Sequence, residues 1–249
     1  MYASPAVRWL LGGELHPGGE RTTRRALELM GLGPQDRLLD VACGTGESAI
    51  LAARELGCVV AGVEYSPESV SAAQTAADTA GLCDRVGFVQ GDAEALPFAD
   101  ASFDAALCEC SLCLFPDRER ALAEVRRVLR AGGRVAISDV TAKPERLPSV
   151  LRDALAGVAC VAEALPLSGY ERLLTGCGFE LIATETREAD AASMAARITD
   201  RLRGARVLGY GEFTVGGFGV DDALTLSAVA ERAIAAGILG YAIFAAVRR

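Results

Sequence analysis

The chain has 249 residues, of which 51% are apolar and 23% are charged. This composition is typical of globular domains and excludes whole-chain disorder and a collagen-like structure. The 25 basic and 33 acidic residues give a net charge of −8, and the basic residues form no run. An acidic surface repels a phosphate backbone, so nucleic acid is not expected as a partner.

Neither a membrane span nor a targeting segment is predicted. The longest apolar run, residues 233–247, has 15 residues and contains two glycines, whereas a spanning helix needs ~20. Residues 1–13 lack the basic, apolar and small-residue order of a signal peptide. We therefore expect a cytoplasmic protein with no membrane partner, whose cysteines are reduced.

Short β-branched runs alternate with longer stretches rich in Ala, Leu and Arg, which is typical of βαβ units around a parallel sheet. Strands are predicted over residues 37–41, 58–64, 86–90, 103–108, 134–139, 179–186 and 239–247. Helices are predicted over about 46–56, 66–81, 117–129, 148–164, 169–175, 189–208 and 221–236.

This order predicts an α/β fold with a Rossmann-like, doubly wound, mostly parallel seven-stranded sheet and an antiparallel last strand at its edge. We expect a single domain, 1–249. Its parts are an N-terminal helical cover (1–34), a core (35–186), a helical insertion (187–237) and the last strand (238–249).

The segment Asp-Val-Ala-Cys-Gly-Thr-Gly, residues 40–46, joins the first predicted strand to the first helix. Its two glycines allow a sharp turn, and the helix start offers unpaired N–H groups to a ligand. Glu64 ends the second strand, 18 residues after Gly46. A carboxylate at that place accepts the two hydroxyls of a ribose; the alternative is a solvated strand end.

The segment after the third strand, residues 91–98, adds a base-binding feature. Asp92 can accept a hydrogen bond from the exocyclic amine of adenine, while Ala93 and Leu96 pack on the ring. A NAD enzyme would share the glycine loop and Glu64. The third glycine of the dinucleotide fingerprint is absent, however, because Ala49 stands there, and the adenine segment argues further against NAD.

Segments 40–46, Glu64, 91–98, 102–104 and 127–133 together make the chain resemble the class I S-adenosylmethionine-dependent methyltransferases. The resemblance covers residues 35–140, and Ala131 replaces the proline that the family usually has. It implies S-adenosylmethionine as the cofactor and a small-molecule methyl acceptor. The residues it implies for cofactor binding are Asp40, Ala42, Gly44, Thr45, Gly46, Glu64, Tyr65, Asp92, Ala93 and Glu109.

Cysteines cluster where the fourth strand ends, at Cys108, Cys110 and Cys113, and Cys160 lies on a later helical stretch. Acceptors in open α/β sheets lie beyond the carboxyl ends of the strands. The alternative is that these cysteines are small buried hydrophobes, as we expect for Cys58, Cys83 and Cys177. A zinc site is not expected, because a second cysteine pair is missing and His16 is the single histidine.

Residues 115–117, Glu124, 138–140, 159–164 and 170–179 further resemble the arsenite methyltransferase branch of the family. In that branch cysteine thiolates bind trivalent arsenic, so the resemblance implies catalytic roles for Cys110, Cys113 and Cys160. Soft thiolates suit a soft acceptor. The N-terminal cysteines of the branch have no clear counterpart here.

The first hypothesis is therefore methyl transfer to a thiolate-bound metalloid such as arsenite, or to a small thiol. The alternatives are a methyltransferase for a quinone or natural product, a NAD-dependent oxidoreductase, and a non-catalytic cofactor-binding protein. A carbon or oxygen acceptor needs a general base, for which the candidates are Glu109, Asp139, Glu163 and His16. The sequence does not predict the oligomeric state.

Overall fold

The computed structural model of the protein describes residues 9–155, 159–208, 214–215 and 218–249. The helices are α1 (Glu20–Met30), α2 (Glu47–Leu56), α3 (Pro67–Thr79), α4 (Arg118–Val128), α5 (Ser149–Leu155), α6 (Ala159–Ala162), α7 (Leu167–Gly176), α8 (Glu188–Val207) and α9 (Val220–Ala235). The strands are β1 (Arg37–Val41), β2 (Val59–Glu64), β3 (Val86–Gln90), β4 (Phe103–Glu109), β5 (Leu129–Ala142), β6 (Phe179–Thr186), β7 (Thr214–Val215), β8 (Phe218–Gly219) and β9 (Leu239–Arg248).

The large sheet has seven strands in the order β3-β2-β1-β4-β5-β9-β6, which confirms the predicted mostly parallel α/β fold. Strand β1 pairs in parallel with β2 and with β4, so that Asp40 lies opposite Gly62 and Leu107. The strand order reverses between β1 and β4. In open α/β sheets a ligand binds beyond the carboxyl ends of the strands at such a point.

The sequence analysis expected the last strand, β9, at the edge of the sheet, but the structure has it inside the sheet. It lies between β5 and β6, and the two edges are β3 and β6. The cause is visible in its composition: residues 241–246 are all buried. An apolar run of this kind suits an interior strand covered on both faces, whereas an edge strand usually carries charges that prevent aggregation.

Two further boundaries differ from the prediction. Strand β5 begins at Leu129 rather than at residue 134, because Leu129 pairs with Phe103 before the register shifts and Arg134 pairs with Ala105. Gly133 permits this irregularity, since a Cβ there would lie 2.8 Å from the Arg130 carbonyl oxygen. The predicted helix over 148–164 is found as α5 and α6, and residues 156–158 lie outside the described part.

The chain forms two compact units. The first, here called the sheet unit, comprises Glu20–Asp139, Ser168–Glu185 and Ile243–Arg249; the second, the helical unit, comprises residues up to Gly19, Val140–Leu167 and Thr186–Ala242. Each has its own buried cluster, centred on residues such as Leu38 and Leu107 in the sheet unit and Leu147 and Leu151 in the helical unit. The single domain expected from the sequence stays a prediction.

None of the helices in the described ranges is long and apolar enough to cross a membrane.

Helix α3 begins as its sequence predicts. Ser66 is the N-cap, and its side chain accepts a hydrogen bond from the Ser69 N–H at 3.2 Å, while Pro67 takes the first helical position. This start fixes the chain direction immediately after Glu64.

Candidate cofactor site

The turn between β1 and α2 is built from left-handed residues. Ala42, Gly44 and Gly46 have φ angles of 56°, 54° and 82°. An alanine in this conformation is strained by about 1–2 kcal/mol, and such strain is typical of ligand sites. The Gly46 N–H donates to the Cys43 carbonyl at 2.9 Å. Gly46 gives the start of α2 no side-chain cap, and the Ala49 N–H in its first turn bonds the Asp40 carboxyl.

Asp40 lies under this turn as a buried acid, with 3% of its surface exposed. Its Oδ2 atom is buried and has no hydrogen-bond partner among the described residues. Burial raises the pKa of the Asp40 carboxyl well above its usual range, and the nearby charges of Glu109 and Glu64 raise it further. A buried carboxyl oxygen that lacks a partner is costly, and a cationic ligand would satisfy it.

Glu64 connects the glycine turn to the start of α3. Its Oε2 accepts from the Gly44 N–H at 3.0 Å, and its Oε1 accepts from the Ser66 N–H at 2.9 Å. A carboxylate has about four acceptor positions, so two bonds leave capacity for two hydroxyl donors. The geometry therefore fits the predicted ribose site, and it also gives Glu64 a structural role that the sequence did not predict.

Beside Glu64 lies a cavity of about 380 Å³, within the usual size of small-molecule sites. Asp92 and Glu94 lie on one wall, and the Glu94 N–H donates to the Asp92 Oδ1 at 2.9 Å. Tyr65 is on the rim and is 76% exposed. The full lining is Ala42, Val63, Glu64, Tyr65, Gly91, Asp92, Ala93, Glu94, Leu114, Phe115 and Pro116.

Five of the predicted cofactor residues thus line one cavity: Ala42, Glu64, Tyr65, Asp92 and Ala93. The apolar segment Leu114, Phe115 and Pro116 faces them, and the sequence analysis did not assign it. The sequence could have indicated this segment, because its three consecutive apolar residues follow the fourth strand, at the carboxyl edge of the sheet. The cavity therefore has an acidic wall and an apolar wall, which suits a nucleoside.

Glu109, at the end of β4, is surrounded by hydroxyl groups. Its Oε2 accepts from Thr23 Oγ1 at 2.9 Å and from Ser48 Oγ at 2.6 Å, and its Oε1 accepts from Ser138 Oγ at 3.1 Å. Glu109 is absent from the described lining of the cavity. The three hydroxyl residues had no recognisable signal in the sequence.

The cysteines of the fourth strand are placed differently from one another. Cys108 is buried, and burial raises the pKa of its thiol well above the usual range. Cys110 is half-buried in the left-handed conformation with φ 52°. Cys113 is 1% exposed, and its N–H donates to Asp139 Oδ2 at 2.9 Å. Cys160 lies in α6, and its side chain is outside the described residues.

Among the side chains that the structure describes, no group of three or more His, Cys, Asp or Glu residues is arranged to hold a metal ion. The expectation of buried packing cysteines holds for Cys58, whereas Cys177 is only half-buried and Cys83 is exposed. Cys83 follows the end of α3 in a turn, where a small residue is tolerated in solvent.

Two further candidates for proton transfer belong to the helical unit. The His16 ring stacks on Tyr241 of the same unit, with centroids 6.4 Å apart and planes at 12°. Glu163 is exposed, just after α6. In the sheet unit, Asp139 is fully buried and accepts the Cys113 bond described above.

A family model described as a methyltransferase domain matches residues 39–137. The chain is 35% identical over 195 residues to the 27-O-demethylrifamycin SV methyltransferase of Amycolatopsis mediterranei, covering 75% of this chain and 71% of that protein. These similarities, together with the fold, show that the chain belongs to the class I S-adenosylmethionine-dependent methyltransferases. It is an enzyme family whose cofactor is S-adenosylmethionine.

Other relatives match a smaller share of their own length. Methyltransferase GfsG of Streptomyces halstedii is 34% identical over 171 residues, covering 68% of this chain and 61% of that protein. An arsenite methyltransferase of Halobacterium salinarum is 35% identical over 155 residues, covering 61% of this chain and 39% of that protein. Among solved structures, the [4+2]-cyclase SpnF superposes with a TM-score of 0.80 at 26% identity, over 98% of this chain and 92% of that one.

Proposed function

We propose that the chain transfers a methyl group from S-adenosylmethionine to an organic small molecule of the quinone or natural-product kind. The burial of Cys113 carries this choice of acceptor: 1% of its surface is exposed, and its backbone is tied to Asp139. A soft ion needs several accessible thiolates about 2.3 Å from it. An organic acceptor makes no such demand, so it replaces the metalloid as the leading hypothesis.

Asp40, under the glycine turn, and the lining of the cavity together provide a group for each part of the cofactor. The unpartnered oxygen of Asp40 suits the positive charge of the methionine end, and the free acceptor capacity of Glu64 suits the ribose hydroxyls. Asp92 suits the adenine amine, and Phe115 with its neighbours excludes water from the ring. When bound, S-adenosylmethionine supplies an activated methyl group that leaves its sulfonium sulfur by in-line displacement. The protein then contributes position and a dry surrounding.

The proton of a hydroxyl acceptor needs a separate account. Glu109 already accepts three hydroxyl hydrogen bonds, which occupy most of the acceptor positions of its carboxylate. Asp139 is buried against the Cys113 N–H. We therefore propose an acceptor that is itself acidic, such as a phenol or a quinol.

A thiolate-bound metalloid remains the second candidate, supported by the similarity to the arsenite methyltransferase. Cys110 favours it, because this half-buried cysteine sits in a strained left-handed conformation at the end of β4. The role of Cys160 in this candidate stays a prediction from the sequence.

The test is methyl transfer by the purified enzyme to arsenite, small thiols, phenols and quinols, in the wild type and in Cys110→Ser. Cys83→Ser is the matched control, because Cys83 is exposed and outside the cavity lining. We expect transfer to a phenol or quinol at rates that neither substitution changes more than about twofold, since neither thiol contributes bonds to that reaction. Transfer to arsenite that is lost in Cys110→Ser and kept in Cys83→Ser would instead establish the metalloid.

A further inference from the structure

The segment that follows β3, residues 91–101, is here called the adenine loop. Its first residues, Gly91 to Glu94, form one wall of the cavity. It contains one isolated bridge, between Asp92 and Ala95, and otherwise no strand or helix. The backbone groups of such a segment need partners from elsewhere. The question is therefore which groups hold Asp92 and Ala93 in place.

Three of these backbone groups are bonded by two side chains from one turn of α4. The Arg127 guanidinium donates through Nη2 to the Leu96 carbonyl at 3.0 Å and through Nη1 to the Phe98 carbonyl at 2.8 Å. Glu124 Oε2 accepts from the Leu96 N–H at 2.8 Å. Both backbone groups of Leu96 are thus bonded by side chains that lie about 30 residues later in the chain.

Glu124 and Arg127 also hold each other. Arg127 Nε donates to Glu124 Oε1 at 2.7 Å, and Arg127 Nη2 donates to Glu124 Oε2 at 2.8 Å. Their side chains are 20% and 30% exposed, and the pairing lowers the pKa of the Glu124 carboxyl. A planar fork of donors makes this arrangement, which the single point charge of a lysine cannot reproduce.

The amino end of α4 adds a second connection, between the two walls of the cavity. Glu94 Oε1 accepts from the Asp117 N–H at 2.8 Å, and the Glu94 carbonyl accepts from Arg120 Nε at 2.9 Å. Asp117 directly follows Pro116 of the apolar wall. Helix α4 therefore holds the acidic wall at a fixed distance from the apolar wall.

We propose that Arg127, locked by Glu124, is a positioning residue that sets the affinity of the enzyme for the adenine part of its cofactor. Arg127 is absent from the described cavity lining, so it acts through the loop and not by contact. Releasing Leu96 and Phe98 would free Asp92 to leave the adenine amine. The inference rests on the cofactor and is independent of which acceptor the enzyme methylates.

The test compares Arg127→Lys and Arg127→Met with Arg130→Met as matched control. Arg130 lies three residues later and pairs with Asp104 at 2.6 Å, away from the loop. Titration calorimetry gives the affinity for S-adenosylhomocysteine and for its hypoxanthine counterpart, which lacks the amine. We expect both Arg127 variants to bind S-adenosylhomocysteine about tenfold or more weakly than the wild type does. Their loss of affinity for the hypoxanthine counterpart should be smaller, and Arg130→Met should keep both affinities.

Hydrogen exchange of the Leu96 amide gives a reading without any ligand. It should accelerate about tenfold or more in Arg127→Lys, because the loop then opens locally, and remain unchanged in Arg130→Met. The inference is overturned if Arg127→Lys binds both ligands as tightly as the wild type does, or if its affinity falls by the same factor for both ligands. If one variant does not fold, Glu124→Gln breaks the same pair and must give the same two results.

Discussion

The glycine turn (residues 42–46) and the adenine loop (residues 91–101) both border one cavity, yet different forces hold them. The glycine turn is fixed by its own backbone, through left-handed residues and the nearby Glu64 carboxylate. The adenine loop is fixed by a guanidinium and a carboxylate from α4. The first region depends on the size of its residues, and the second on charged hydrogen bonds. The predictions below test this difference from the largest expected effect to the smallest.

Gly46→Ala should cause the largest loss of stability. Gly46 has φ 82°, and an added Cβ would lie 2.5 Å from the Phe88 ring. The left-handed conformation costs an alanine about 1–2 kcal/mol, and overpacking adds roughly 1–3 kcal/mol. We expect the free energy of unfolding in urea to fall by about 3 kcal/mol.

Gly44→Ala is the matched control for that substitution. Gly44 is also left-handed, at φ 54°, but a Cβ there meets nothing within 4 Å. The free energy of unfolding of Gly44→Ala should therefore fall only by the conformational cost, about 1 kcal/mol. Equal losses in the two variants would show that contact with Phe88 does not constrain the turn.

Asp40 should make stability depend on pH in an unusual direction. The pKa of its carboxyl is raised by burial first and then by Glu109 and Glu64, while the Ala49 amide opposes this shift. The folded chain then binds a proton that the unfolded chain releases above about pH 4. The stabilisation is complete below that pH and is lost as the pH rises through the raised pKa.

The measurement is urea unfolding of the cofactor-free protein at several pH values, in the wild type and in Asp40→Asn. Glu124, whose pKa is lowered, contributes the opposite slope, but it does so equally in both proteins. The wild type should therefore lose stability relative to Asp40→Asn as the pH rises above about 4. Parallel curves would show that Asp40 has an ordinary pKa.

Asp100→Asn should have the smallest effect. Asp100 accepts from Arg127 Nη1 at 2.7 Å, but its side chain is 77% exposed. Exposed ion pairs contribute roughly 0–1 kcal/mol, so both the unfolding free energy and the affinity for S-adenosylhomocysteine should stay close to the wild-type values. A large loss of affinity would show that the exposed Arg127–Asp100 pair fixes the adenine loop, and not the bonds of Arg127 to Glu124 and to the loop carbonyls.

The contrast between the two regions also explains where prediction from the sequence succeeded. The sharp turn after β1 and the place of Glu64 at the end of β2 were predicted because local sequence marks them: two glycines follow one strand, and a carboxylate ends the next. The edge position of β9 was predicted wrongly, because pairing between distant strands has no local signal. The hydroxyl groups around Glu109 come from α1, α2 and β5, and no spacing rule connects them.

The sequence by itself determined the chain order of the seven strands of the large sheet, the position of the glycine turn and the family, since these depend on periodicity, turn residues and short motifs. Only the tertiary structure decided which distant groups meet. It buried Cys113 against Asp139 and joined Arg127 to the adenine loop. It also left one oxygen of Asp40 without a partner in the described chain. Hydrogen bonds of this kind depend on positions in space, and separation along the chain does not reveal them.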